Sequence, residues 1–189
     1  MVDFPIHTIE TAPEAAKPLL EASLKANGRI PGLHGTMADA PGLLEAYQVA
    51  HKAFLNTSLT KEEKTVVWQT VNVEHECHYC VPAHTGIAKM MGVDDAITEA
   101  LRNETPLPDP KLEALRDFTL KVVRNRGFVD EADTQAFLDA GYTTTNILEV
   151  ILGVAQKVMS NYVNHFAKTP VDKVFEKYAW ERKKPAAAE

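Results

Sequence analysis

Both cysteines of the chain fall in one short run, Cys77-His78-Tyr79-Cys80-Val81-Pro82-Ala83-His84, spaced C-x-x-C-x-x-x-H. On a helix advancing about 100° per residue, Cys77, Cys80 and His84 occupy a sector roughly 60° wide, so two thiols and an imidazole share one stripe. That combination suits dithiol redox chemistry. A thiolate attacks an electrophile, the second thiol closes a disulfide on it, and the imidazole moves protons. His84 follows Cys80 by one turn, close enough to exchange a proton with it directly or through water. Its titration would then add an imidazole step near neutrality to the pH profile. Pro82 is tolerated in a first helical turn and costly further in, which predicts a helix start between about Cys77 and Val81. A cysteine placed there faces free N–H groups that favour its thiolate.

The same residues admit other readings. Cys77, Cys80 and His84 could ligate zinc, with His75 or His78 as a fourth ligand. Structural zinc sites usually take two separated ligand pairs, and the sequence has no second C-x-x-C and no H-x-x-x-H. The cysteines could also be no more than small buried residues. The redox reading is preferred, and it calls for no metal or other cofactor.

The elements that must position this run are helices. At 189 residues, with 45% hydrophobic and 24% charged residues, the composition suits one globular domain. Pro41 to Leu55 carries apolar residues at helical spacing. Thr60 and Glu63 form a capping box for a helix starting at Lys61. Val66-Val67-Trp68 and Val71 to Val73 are β-branched enough to suggest a strand, but the good cap and the lack of a hairpin partner favour helix. The motif helix should stop near Met91 at Gly92, and Asp94 can cap a short helix to about Asn103. Asp109-Pro110 starts another that runs to Arg126 before Gly127, and Asp130 to Ala140 precedes Gly141. The longest helix should run from Thr144 or Thr145 to about Lys168. It bears a broad apolar stripe of Ile147, Leu148, Ile151, Val154, Ala155, Val158, Tyr162 and Phe166. A final short helix carries Val174, Phe175 and Tyr178. The reading is a single all-α domain over residues 1–180, with 181–189 a disordered tail.

The formal net charge of -6 argues against a general nucleic-acid surface, and the basic triplet Arg182-Lys183-Lys184 lies in that tail. No stretch approaches the ~20 apolar residues of a membrane span. Met1-Val2-Asp3-Phe4-Pro5 lacks the basic and apolar blocks of a signal peptide. A reducing cytoplasm is the setting this suggests, where a close Cys pair is catalytic or metal-binding more often than a structural staple.

Cys77-x-Tyr79-Cys80-x-x-x-His84, preceded by a helix after Leu59-Thr60, resembles the alkylhydroperoxidase D-like, carboxymuconolactone decarboxylase superfamily. Arg29-Ile30-Pro31 and Ala40-Pro41-Gly42-Leu43-Leu44-Glu45-Ala46-Tyr47 resemble the N-terminal segment of its peroxidase-related members. Asn161-Tyr162-Val163-Asn164-His165 with Thr169-Pro170-Val171-Asp172 resembles their C-terminal segment. The resemblance runs roughly from Ile6 to Lys177. It implies an all-helical fold, a homo-oligomer, and thiol-dependent reduction of hydroperoxides without metal or haem. By the same resemblance Cys80 becomes the sulfenic acid, Cys77 resolves it, and His84 is the relay histidine. A thiol or dithiol donor would return the electrons. A trimer or a multiple of one is expected, since the apolar stripe of the last long helix exceeds what one small core can cover.

Two positions depart from the family pattern. Thr65 stands where the peroxidase members carry a relay glutamate, and Glu74 is the substitute expected, within about 60° of Cys77 on a continuing helix. His75 and Glu76 occupy positions held by Asn-Gly in many relatives; with His78 they could tune the thiols. Asn161 and His165 share a face of the long helix, either solvated or facing Cys80. His7, His34 and His51 have no partner visible in sequence. A carboxymuconolactone decarboxylase-type lyase, which does not depend on the dithiol, and a non-catalytic zinc-binding or redox-sensing module are the competing functions.

Overall fold

The computed structural model describes residues 3–182, and among these it contains helices, turns and no strand. Nine α-helices follow in order among the described residues: α1 (Lys17–Asn27), α2 (Gly32–Met37), α3 (Pro41–Leu55), α4 (Lys61–Glu74), α5 (Cys80–Met90), α6 (Asp95–Asn103), α7 (Pro110–Arg124), α8 (Glu131–Asp139) and α9 (Thr144–Ala167). Short 3-10 turns at Glu14–Ala16 and Lys173–Tyr178 flank them.

Most boundaries are where local chemistry puts them. Both halves of the Thr60/Glu63 capping box form at the start of α4. Asp94, Asp109 and Asp130 cap α6, α7 and α8 through their side chains. The α7 helix ends two residues short of Arg126, because Arg126 already has a left-handed backbone (φ 56°) ahead of Gly127 (φ 86°). Helices α1 and α2 had no counterpart in the sequence reading.

α4 is the central element. Every residue from Glu63 to Val73 is buried, with α5, α6, α7 and α9 packed around it. This explains the β-branched run. A helix enclosed on all sides needs apolar residues around its whole circumference, and that burial outweighs the modest helix propensity of valine. Two apolar clusters result. One gathers Phe54, Val66, Val67, Trp68, Leu115, Phe118 and Phe137; the other holds Leu20, Met37, Leu44 and Tyr47 together with Cys77, Tyr79 and Cys80.

Helix α9 corrects the expectation for its apolar stripe. Leu148 (67% exposed), Ile151, Ala155, Tyr162 and Phe166 (77% exposed) face outward. The face turned inward carries Gln156, Lys157, Ser160, Asn161 and Asn164, each fully buried. Gly153 allows this approach: a Cβ there would lie 2.6 Å from the Phe54 ring and 2.7 Å from Val67. Of the expected tail, Arg182 is described and pairs with Glu76 and Glu104 at 3.0 and 2.6 Å. Residues 183–189 lie outside the described residues.

Candidate active site

Cys80 is the first residue of α5, and Cys77 lies in the turn that joins α4 to it. The sulfur of Cys77 accepts the backbone N–H of Cys80 at 3.3 Å, so it serves as an N-terminal cap. Both sulfurs are buried and both thiols are free. The turn is anchored at Tyr79, whose hydroxyl donates to Asp172 at 2.9 Å and accepts the Leu33 N–H at 3.3 Å. Asp172 also accepts from the Gly32 N–H at 3.0 Å and pairs with Arg29 at 3.3 Å. The three segments that carried the family resemblance therefore meet at this turn.

Helix α9 supplies the other wall. Asn164 Nδ2 reaches Cys80 Sγ at 3.3 Å and Cys77 Sγ at 3.9 Å, while its Oδ1 is buried without a protein partner. Asn161 donates to Asn72 at 3.0 Å and its Oδ1 meets His75 Nδ1 at 3.0 Å. Asn161 is thus part of the sulfur environment, whereas His165 is exposed. Lys157 Nζ lies 2.8 Å from His84 Nε2. His84 packs against Trp68 with ring centroids 4.9 Å apart, and Trp68 stacks on His51 at 5.4 Å and donates to Gln156 at 2.9 Å.

The two thiols are electrostatically unequal. Burial opposes the Cys80 thiolate, yet the hydrogen bond from Cys77, the Lys157 charge and the Asn161 and Ser160 side chains outweigh it and pull this thiol down to about 5. Cys77 moves the other way: it donates to Cys80, is buried, and feels the Cys80 charge, so it stays protonated. Burial, then the Lys157 and His51 charges, push His84 well below its ordinary value. His84 is therefore a neutral imidazole, and the imidazole step expected near neutrality is displaced far to the acid side. Burial also lowers Lys157, opposed by the charges of Cys80 and then Cys77.

The remaining sequence candidates lie elsewhere. Helix α4 ends at Glu74, and Glu76 has a left-handed backbone (φ 50°), so the continuing helix that would align Glu74 with Cys77 does not form. The Glu74 carboxylate accepts two hydrogen bonds from Arg124, at 2.8 and 2.7 Å, beside a cavity of about 210 Å³ lined also by Thr70, Leu101 and Arg116. Thr65 bonds back to the Lys61 carbonyl at 2.8 Å. Glu63 is held by its cap and by Lys111 at 3.3 Å. His78 meets the Thr169 carbonyl at 3.0 Å. No group of three or more His, Cys, Asp or Glu side chains able to hold a metal ion occurs among the described residues. None of the described helices is long and apolar enough to cross a membrane.

Lys157 and Asn164 were not singled out from sequence. The one signal was their spacing with Gln156, Ser160 and Asn161, which marks a second, polar helical face opposite the apolar stripe.

No family profile and no curated protein matches the sequence. Solved structures do. The core of an alkylhydroperoxidase D, an uncharacterised peroxidase-related protein from Ralstonia eutropha, superposes with a TM-score of 0.81 at 23% identity, over 91% of this chain and 93% of the other. A peroxidase-related protein from Silicibacter sp. gives 0.77 at 20% identity, over 92% of each chain. The debrominase Bmp8, in complex with 2,3,4-tribromopyrrole, gives 0.76 at 15% identity, over 94% of this chain and 95% of the other. The chain therefore has the alkylhydroperoxidase D-like fold of the peroxidase-related structures.

Proposed function

We propose that the protein is a thiol-dependent peroxidase that reduces hydroperoxides through a Cys77/Cys80 dithiol–disulfide cycle, with His84 in the proton path. The observation that supports this most is the unequal pair: a Cys80 sulfur held ionised at neutral pH beside a Cys77 thiol held protonated. The Cys80 thiolate attacks the terminal oxygen of the hydroperoxide. The S–O bond forms, the O–O bond breaks, and the alkoxide leaves with a proton as the alcohol. The Cys77 thiol then attacks the sulfenic sulfur, the S–S bond forms, and hydroxide leaves with the Cys77 proton as water. A thiol or dithiol donor restores both thiols by exchange.

The buried site suits this order, since a sulfenic acid beside a second thiol is trapped before further oxidation. The orphaned Asn164 Oδ1 is an acceptor next to the Cys80 sulfur, fit for the O–H of a hydroperoxide. A lyase of the decarboxylase type would have no use for such a dithiol. The reading includes a reducing cytoplasm, no nucleic-acid or membrane partner, and a homo-oligomer, trimeric or a multiple of it, supported by the outward apolar stripe of α9.

The test is one equivalent of an organic hydroperoxide added to reduced protein, followed by intact-mass analysis. The expected result is loss of two hydrogens and of both free thiols. Cys80→Ser should abolish peroxide consumption, and Cys77→Ser should leave a sulfenic acid that over-oxidises. Consumption at the wild-type rate by Cys80→Ser overturns the reading.

A further inference from the structure

Lys157 is wholly buried, and its hydrogen-bond partner is the imidazole of His84 rather than a carboxylate. No acidic side chain forms an ion pair with it among the described residues; the negative charges it feels are the sulfurs of Cys80 and Cys77. A buried ammonium without an anion is costly, and an apolar side chain would fill the same volume at lower cost. Packing alone therefore gives no reason for lysine at this position, whereas an anionic sulfur beside it does.

We infer that Lys157 is the acid of the site: it is the counter-charge of the Cys80 thiolate, it protonates the leaving oxygen of the hydroperoxide, and His84 acts by holding its ammonium in place. This rests on the peroxidase reading above.

The proton count closes. In the resting site Cys80 is a thiolate, Lys157 an ammonium and Cys77 a thiol. As Cys80 becomes the sulfenic acid its negative charge passes to the leaving alkoxide, which takes a proton from Nζ. The alcohol departs and Lys157 remains as a neutral amine, the form that burial favours. The Cys77 proton leaves as water when the disulfide closes. A dithiol donor then delivers two electrons and two protons, one returning to Cys77 and one to Lys157. Proton release from lysine is thus coupled to loss of the sulfur charge, because each charge is stabilised chiefly by the other.

His84 fits a positioning role. As a neutral ring it accepts from Nζ–H through Nε2, and Trp68 fixes its plane. The other titratable groups facing the pair are Tyr47 and His51 from α3, His75 at the end of α4, and Cys77 and Tyr79 in the turn. Burial holds His51 at about 4, so it is neutral above that pH. Burial raises Tyr47 and Tyr79 far above neutrality, so both stay protonated. Burial lowers His75, which is also neutral near pH 7. Lys157 is the group left to supply a positive charge.

The experiment measures Cys80 alkylation and thiolate ultraviolet absorbance across pH, then organic hydroperoxide consumption, for wild type, Lys157→Met and Lys157→Arg. The wild-type thiolate should form well below the ordinary cysteine value of about 8.5. Lys157→Met should move that midpoint up by about two pH units or more, with at least a tenfold slower alkylation at neutral pH. Lys157→Arg should keep the low midpoint but not the peroxide rate, because a guanidinium does not give up its proton. A wild-type midpoint near 8.5, which needs no variant, overturns the proposal. So does a Lys157→Met profile that superimposes on wild type, or full peroxide turnover by Lys157→Arg. If the thiol results are as expected but wild type consumes no hydroperoxide, the peroxidase reading and the leaving-oxygen role fall together, and the Lys157–Cys80 pairing stands.

Discussion

The hydroxyl of Tyr79, inside the C-x-x-C turn, donates to Asp172 Oδ2 at 2.9 Å, across the whole length of chain from α5 to α9. Asp172 also accepts from Gly32 and Arg29, so one carboxylate ties the motif turn to both ends of the fold. Asp172→Ala would leave a buried hydroxyl, a backbone N–H and a guanidinium without their acceptor. The expected loss is about 2–4 kcal/mol, read from the midpoint of chemical denaturation. An unchanged midpoint would show that the turn is held by other contacts.

His84 should matter as an acceptor rather than as a titrating base. His84→Leu removes the partner of Lys157 Nζ and should slow peroxide reduction by roughly ten- to a thousandfold. His84→Gln, whose amide oxygen can accept the same hydrogen bond, should lose much less. The wild-type rate profile should show no imidazole step near neutrality, because the folded His84 is held neutral. A step at about 6.5 that disappears in His84→Gln would return the imidazole to the role of relay base.

Gly153→Ala should destabilise the protein by about 1–3 kcal/mol through overpacking, since the new methyl meets Phe54 and Val67. It should also raise the Cys80 thiolate midpoint by pushing α9, and Lys157 with it, away from α4. Thermal unfolding and thiol alkylation on the same preparation test the two effects together. A stable variant with wild-type alkylation would mean that α9 need not approach so closely.

Glu74 has its carboxyl below the ordinary value, first through the hydrogen bonds from Arg124. Because the folded value is the lower one, the pair's contribution to stability is present above the unfolded value of about 4.3 and is lost as pH falls through the folded value. The pair is partly exposed, so Glu74→Gln should cost less than about 1 kcal/mol at neutral pH. The difference from wild type should vanish in acid. A tenfold fall in peroxide turnover without a change in alkylation would place Glu74 in the proton path.

The outward face of α9 should be covered by copies of the chain. Light scattering at micromolar concentration should return a multiple of the 20.9 kDa chain mass, three or a multiple of three copies. Leu148→Lys with Phe166→Lys should shift it toward a single chain, since both side chains stand largely exposed on one stripe. A wild-type mass of one chain would refute the assembly.

Helix boundaries were legible in the sequence because caps, prolines and glycines act within a few residues of one another. Thr60 with Glu63, Asp109 with Pro110, and Gly141 each decide their own helix end. The C-x-x-C-x-x-x-H run was legible for the same reason: its chemistry lies within two turns of chain. Glu74 shows where local reasoning stops. Its alignment with Cys77 presupposed a straight helix, and the left-handed backbone of Glu76 redirects the chain before it reaches the cysteine. Helix α9 shows the larger limit. Its sequence contains an apolar stripe and a polar stripe, both at helical spacing, and the usual rule turns the apolar one inward. The tertiary structure reverses that choice, because two sulfurs and the buried amides of Gln69 and Asn72 give the polar face its partners and Gly153 lets it approach them. Lys157, solvated by any local reading, becomes the cation of the site only because α5 and α9 meet there.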